Sequence, residues 1–126
     1  MNICNVPISI GELYDKYTIL QIKKEKINDI DKLLHITTEL TYLQPFIDHL
    51  NLELQMVEKI KNVNKKLWEI EDNIRIKEEK QEFDDEFIIL ARLVYKTNDE
   101  RYSIKTTINN KFNSKIQEIK SYSKYI

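Results

Sequence analysis

Arg75, Arg92 and Arg101 are the only arginines in a chain whose other basic residues are all lysines. A guanidinium is planar and carries five donors, so it grips a carboxylate or phosphate through two parallel bonds, which a lysine ammonium does not. Each of the three lies near residues of matching chemistry. Asn64, Trp68, Glu71, Arg75 and Glu78 recur at three- and four-residue steps and share one stripe of a helix, with Asp72 beside them. Arg92, Asn98, Arg101 and Lys105 interrupt an otherwise apolar pattern further on. If Arg101 and Lys105 face inward they need negative partners, because an unpaired buried charge costs several kcal/mol. Glu12 and Asp15 can supply them from within the chain, or a bound carboxylate or phosphate can do so from outside. Both solutions remain open at this level, as does a rotated helix that sends the two cations to solvent. The candidate binding residues are Glu12, Asp15, Lys16, Trp68, Glu71, Asp72, Arg75, Arg92, Asn98, Arg101 and Lys105. No catalytic residue is identifiable.

Metal chemistry is a second possibility. The run Glu78-Glu79-Lys80-Gln81-Glu82 has the spacing seen in all-α nucleotide pyrophosphohydrolases, and Glu69 with Asp72 adds a further pair. Carboxylate oxygens of this kind suit Mg²⁺. In those enzymes, however, the acidic pair follows the run on a second helix, whereas here it precedes it on the same helix. Charge runs at helix ends are also commonly solvated. The sequence therefore predicts no resident cofactor, with Glu78, Glu79 and Glu82 as the residues that would hold Mg²⁺ if one binds. His35 and His49 lack partners at ligand spacing, and Cys4 is alone, which excludes a disulfide framework and a thiolate metal site. Lys111, Lys115, Lys120 and Lys124 face a single Glu118 in the tail, a mildly basic solvated segment rather than a nucleic-acid surface.

Composition limits the fold that must position these groups. One glycine (Gly11) and two prolines (Pro7, Pro45) in 126 residues are too few for the turns of a sandwich or an α/β fold. A net charge of −1 offers no global attraction for nucleic acid or anionic membrane. Neither a signal peptide nor an apolar run of about 18 residues is evident, so a cytoplasmic protein without membrane spans is expected.

The pattern reads as an all-α antiparallel bundle of four helical segments forming one domain over residues 1–126. Residues 1–8 form an extended arm. Ser9 and Glu12 have the form of a capping box opening a helix over 9–27, with Ile8 as a staple residue. Leu13, Tyr17, Leu20, Lys24 and Ile27 share one face of it, and Ile19 and Ile22 a second. Such a helix is either sandwiched or shared with another copy, so a homodimer through leftover apolar surface on it is expected. A second helix spans 30–44 and uses Ile30, Leu33, Leu34, Leu40 and Leu43, with Pro45 ending or kinking it. A third spans 46–81, where Met56, Ile60, Val63, Leu67, Ile70 and Ile74 form a heptad seam of the kind found in bundles and coiled coils. The fourth spans 84–112, and 113–126 is a tail. A turn near residue 82 puts Asp72 level with Arg92, and Asn64 level with Arg101, by equal rise on antiparallel helices.

These residues also resemble a known group. Gly11-Glu12-Leu13, Asp15-Lys16, Thr18-Ile19-Leu20 and Ile22-Lys23 are similar to the N-terminal signature of a family of small bacterial and viral proteins of unknown function. The blocks around Leu67-Trp68, Ile70-Glu71-Asp72, Leu90-Ala91-Arg92, Asn98-Asp99, Arg101 and Ile108-Asn109 resemble it too. Tyr102 stands where that pattern has a small residue. The family carries no assigned activity, so the resemblance implies no catalytic residue. It implies instead that the first and last helices share a polar centre. The functional reading is a small binding or assembly module whose charged centre takes an anionic small molecule or sets register. The alternative is a small all-α enzyme acting on a phosphate- or carboxylate-bearing metabolite such as a nucleotide or nucleotide sugar, possible with Mg²⁺.

Overall fold

The computed structural model describes residues 2–125 and consists of four helices: α1 (Ile10–Lys26), α2 (Ile30–Leu50), α3 (Leu54–Glu79) and α4 (Asp85–Lys111). Each expected segment is a helix, and α4 runs unbroken through its polar middle. Consecutive helices reverse direction. α1 is the hub, packing against α2, α3 and α4, while α3 packs along α4.

Most helix ends obey local chemistry. Ser9, Asp29 and Asp84 cap α1, α2 and α4, each accepting from the backbone N–H three residues on. The capping box of α1 is only half made: Ser9 takes the Glu12 N–H at 3.1 Å, while the Glu12 side chain reaches away to Lys105. Ile8 stays 40% exposed rather than buried as a staple. With no glycine to spare, the left-handed positions at the turns fall to Asn51 (φ 50°), Gln81 (φ 58°) and Asn113 (φ 50°). Asparagine tolerates that region better than most side chains. Lys77 ties the α3–α4 turn through Glu82, Asp84 and Glu86, and these hydrogen bonds raise its pKa.

The second turn departs from expectation. Pro45 neither ends nor splits the helix: α2 continues to Leu50, and the chain reverses at Asn51–Glu53. Proline removes one N–H, but both Pro45 and the Thr41 whose carbonyl it leaves unbonded lie on the exposed face, where solvent can serve that oxygen. The boundaries expected at 44 and 46 therefore move to 50 and 54. Ile30 and Leu34, assigned to the inward face of α2, are 82% and 66% exposed. Its inward seam is instead Leu33, Ile36, Leu40, Leu43, Ile47 and Leu50, all buried or half-buried at alternating three- and four-residue steps.

α3 packs as its heptad predicts. Ile60, Val63, Leu67 and Ile70 are buried, and Met56 packs against the core that Ile60 and Val63 form with Tyr14, Leu52, Ile104 and Ile108. In α1 the expected face is met in part. Leu13 and Leu20 are buried as expected, but so are Gly11, Tyr14, Asp15, Thr18 and Ile22, whereas Tyr17 and Ile27 are half-buried and Lys24 is exposed. On its second apolar side Ile22 is only 1% exposed and Ile19 is half-buried. Tyr14 is fully buried, and its hydroxyl accepts the Leu52 N–H at 3.1 Å, fastening the α2–α3 turn to α1.

Gly11 sets how closely α1 and α4 approach. A Cβ added there would lie 2.5 Å from the Lys105 carbonyl oxygen and 3.0 Å from Asn109 Oδ1. The Gly11 N–H donates to that same Asn109 Oδ1 at 2.6 Å. Backbone cannot retreat as a flexible side chain does. Gly11→Ala is therefore expected to cost about 2–3 kcal/mol, as overpacking of a tight contact does, and to lower the Tm by roughly 10 °C. Thermal denaturation followed by circular dichroism, with exposed Thr38→Ala as the reference, checks it.

Candidate functional site

A polar centre lies where α1, α3 and α4 meet. Asp15 is fully buried in the middle of the inward stripe of α1. Arg101 of α4 grips it with both ends of its guanidinium: Nε donates to Oδ1 at 2.8 Å and an Nη donates to Oδ2. From α3, Asn64 donates from one Nδ2 to Asp15 Oδ1 at 3.0 Å and to Thr18 Oγ1 at 3.1 Å. Thr18 in turn donates back to the α1 carbonyls of Tyr14 and Asp15. Asn98 accepts from Arg101 Nη1 at 3.4 Å.

One turn further along α4, the side chain of Lys105 is only 5% exposed and meets three carboxylates: Glu12 at 2.6 Å, Glu118 at 3.1 Å and Asp15 at 3.7 Å. Three acids thus converge on two cations. The surplus acid, Glu118, comes from the tail, and its Oε1 is buried close to Lys105 without hydrogen-bond alignment to any partner. Thr97 Oγ1, also on α4, is the other such buried atom among the described residues.

The electrostatics follow from these contacts. Burial alone would raise the Asp15 pKa. Hydrogen bonds from Arg101 and Asn64, with the charges of Arg101 and Lys105, overcome that and hold it below the ordinary carboxylate value. The hydrogen bonds to Asp15 raise Arg101 against its own desolvation. Desolvation likewise lowers Lys105, but Glu12 and Asp15 more than offset it and its pKa rises. All three groups are charged at neutral pH.

Five expected site residues thus meet: Glu12, Asp15, Asn98, Arg101 and Lys105. The level placed between Asn64 and Arg101 by ladder reasoning holds, and Lys66 pairs with Glu100 at the same level at 3.4 Å. The others lie apart. Lys16 turns to the other side of α1 and pairs with Glu39 of α2 at 2.7 Å. Glu71 and Arg75 form an exposed pair within α3 at 3.4 Å, while Asp72 and Arg92 are exposed and unpaired with one another. Trp68 is half-buried on α3. Of the polar stripe of α3, Asn64 is the residue hydrogen-bonded to α1. Glu78, Glu79 and Glu82 sit at the exposed α3–α4 turn, with Glu82 on Lys77. Among the described residues no three His, Cys, Asp or Glu side chains converge in a way that would hold a metal ion. Cys4, His35 and His49 are exposed.

Four residues of the centre lie outside the candidate set, and Asn64 among them was read as part of the α3 stripe. Thr18 and Asn109 lay within the resemblance blocks but carry no charge. Glu118 is legible only as the lone acid of a basic tail. Asn109 is 1% exposed and serves the start of α1, whose first N–H groups are met entirely by side chains: Ile10 by Ser114 at 3.1 Å, Gly11 by Asn109 and Glu12 by Ser9. This helix terminus therefore has no donors left for an external anion. Two open grooves lie elsewhere. One of about 660 Å³ runs beside α1 and α2 and is lined by Tyr17, Gln21, Thr37, Thr41 and Lys61, and one of about 480 Å³ separates α4 from the tail.

The chain belongs to a family of unknown function (DUF6165), which it matches over residues 4–126. No curated protein and no solved structure matches it. Among the described residues no helix is long and apolar enough to cross a membrane.

The buried pair makes two predictions. Fully buried pairs lose about 3–5 kcal/mol when one partner is removed, and Arg101 keeps 28% of its side chain exposed, so Asp15→Asn or Arg101→Ala should cost about 2 kcal/mol or slightly more. Urea denaturation at pH 7 measures it. Because the folded Asp15 pKa lies below its unfolded value of about 4, its stabilisation is fully present above that unfolded value. It is lost as pH falls through the lower folded value. Wild type should therefore lose its stability advantage over Asp15→Asn below about pH 4, as parallel urea titrations at stepped pH would show.

Proposed function

We propose that this DUF6165 member is a binding and assembly module whose charged centre locks helix register rather than performing catalysis. One observation carries the reading: the two inward cations are answered by Asp15, Glu12 and Glu118 of the chain itself. An external anion would add a fourth negative group where acids are already in excess. A buried network of this kind is best suited to fixing how helices meet. The surface suits association. Outside its seam, α2 exposes Ile30, Leu34, Tyr42 and Phe46, from 59% to 82%. Our reading makes that face the contact between two copies, in place of α1.

Two measurements test this. Phosphate, citrate or a nucleotide sugar at about tenfold its expected millimolar Kd should leave the wild-type Tm unchanged, whereas true binding would raise it by several degrees. A rise abolished by Arg101→Ala would restore the metabolite-site reading, and a rise with Mg²⁺ abolished by Glu79→Gln the metal-enzyme reading. Light scattering after size exclusion should give a dimer, and Leu34→Ser with Phe46→Ser a monomer of unchanged helicity.

A further inference from the structure

Among the described residues the tail beyond α4 has no helix or strand, yet it is docked. α4 ends with Asn113 in the left-handed region, where the Ser114 N–H donates to the Asn109 carbonyl at 2.8 Å and turns the chain back. The tail then follows α4 through a regular set of contacts. The Tyr102 hydroxyl donates to the Glu118 backbone carbonyl at 3.1 Å, and the Glu118 carboxylate meets Lys105. Lys120 lies over the Tyr102 ring. Seven residues after Glu118, Tyr125 donates to Asp99 and stacks edge-on against Tyr95. A backbone contact, a charge contact and an aromatic contact along one extended segment are how proteins hold peptides.

The fit is poor for a permanent part of the fold. Ile119 and Tyr122 are 81% and 77% exposed, so the segment turns two large apolar side chains outward. A space of about 480 Å³ remains between it and α4, lined by Asp99, Tyr102, Ser103 and Tyr125 among others. Releasing the tail also leaves no orphan charge, since Glu12 and Asp15 still balance Lys105 and Arg101.

We propose that the face of α4 beneath the tail is a peptide-binding groove, occupied at rest by the chain's own residues 114–125. Its partner is an extended segment of another protein that presents an acidic side chain to Lys105 and an aromatic one seven positions later to Tyr95 and Asp99. The tail is then an internal competitor that sets the threshold for partner binding. The proposal rests on the reading of the chain as a binding module but not on the α2 contact.

The experiment uses the full chain and a fluorescently labelled peptide of its own residues 113–125. In wild type the attached tail competes at an effective concentration on the order of millimolar. The loosened variant Glu118→Gln with Tyr125→Phe should bind the peptide at least tenfold more tightly than wild type. Placing Glu118→Gln in the peptide should weaken binding about tenfold, as loss of a charged hydrogen-bonding partner does. Tyr102→Phe in the groove of the loosened chain should weaken it as well. Equal binding to wild type and the loosened chain, each shown folded by circular dichroism, would overturn the proposal, as would indifference to the peptide's Glu118. If wild type is a dimer that the tail substitutions dissociate and the α2 substitutions do not, the occupant is a second copy's tail and the separate partner is excluded. A monomer at every concentration would end the α2 reading while leaving this test intact.

Discussion

A carboxylate with no solvent contact sits at the meeting point of three helices, and the rest of the architecture follows from having to satisfy it. Asp15 needs two hydrogen bonds at one oxygen and one at the other, and these come from α3 and α4 together. Arg101 is the suitable side chain because its fork meets both oxygens at once. A lysine at that position would leave one oxygen unserved in an apolar setting. Shifting α4 by one residue would turn Arg101 off the line to Asp15, so the pair specifies both level and rotation. An apolar core alone tolerates such shifts more readily.

Close approach of α1 and α4 makes this geometry reachable. Gly11 lets the helix backbones come within contact distance of one another, and Asn109 fills the gap with a hydrogen bond. The start of α1 is thereby built from distant parts of the chain: Ser9 is local, while Asn109 and Ser114 lie about a hundred residues away. Glu12 illustrates the competition between local and long-range chemistry. Its position favours bonding back to the Ser9 N–H, but Lys105 offers a full charge in a partly desolvated setting and takes it instead.

α2 and the tail stand in a different relation to this centre. α2 meets α1 through a seam of half-buried residues, with Ile36 alone fully buried, and leaves much of its circumference to solvent. The tail reaches the centre only through Glu118, a surplus acid on a segment held mainly by polar contacts. Rigid lock and loosely held periphery are thus separated in space.

The sequence by itself determined much of the frame. Scarce glycine and proline, period-3.6 patterning, the capping residues and the α3 heptad specify four helices, because helix formation and termination depend on neighbours within a few positions. Arg101, Lys105, Glu12 and Asp15 were legible as a set because inward charges on one helix demand partners on another. Tertiary structure alone decided the remainder. Whether Pro45 broke a helix depended on which face it occupied, since an exposed face lets water replace the lost bond. Of the stripe from Asn64 to Glu78, Asn64 is the buried member and is hydrogen-bonded to α1, while Trp68 and Glu71 are half-buried and Arg75 and Glu78 exposed. Thr18 and Asn109 gave no charge signal, and the tail's docking rests on matches with residues far away in sequence. Such side-chain meetings depend on the relative placement of whole helices, which local periodicity does not encode.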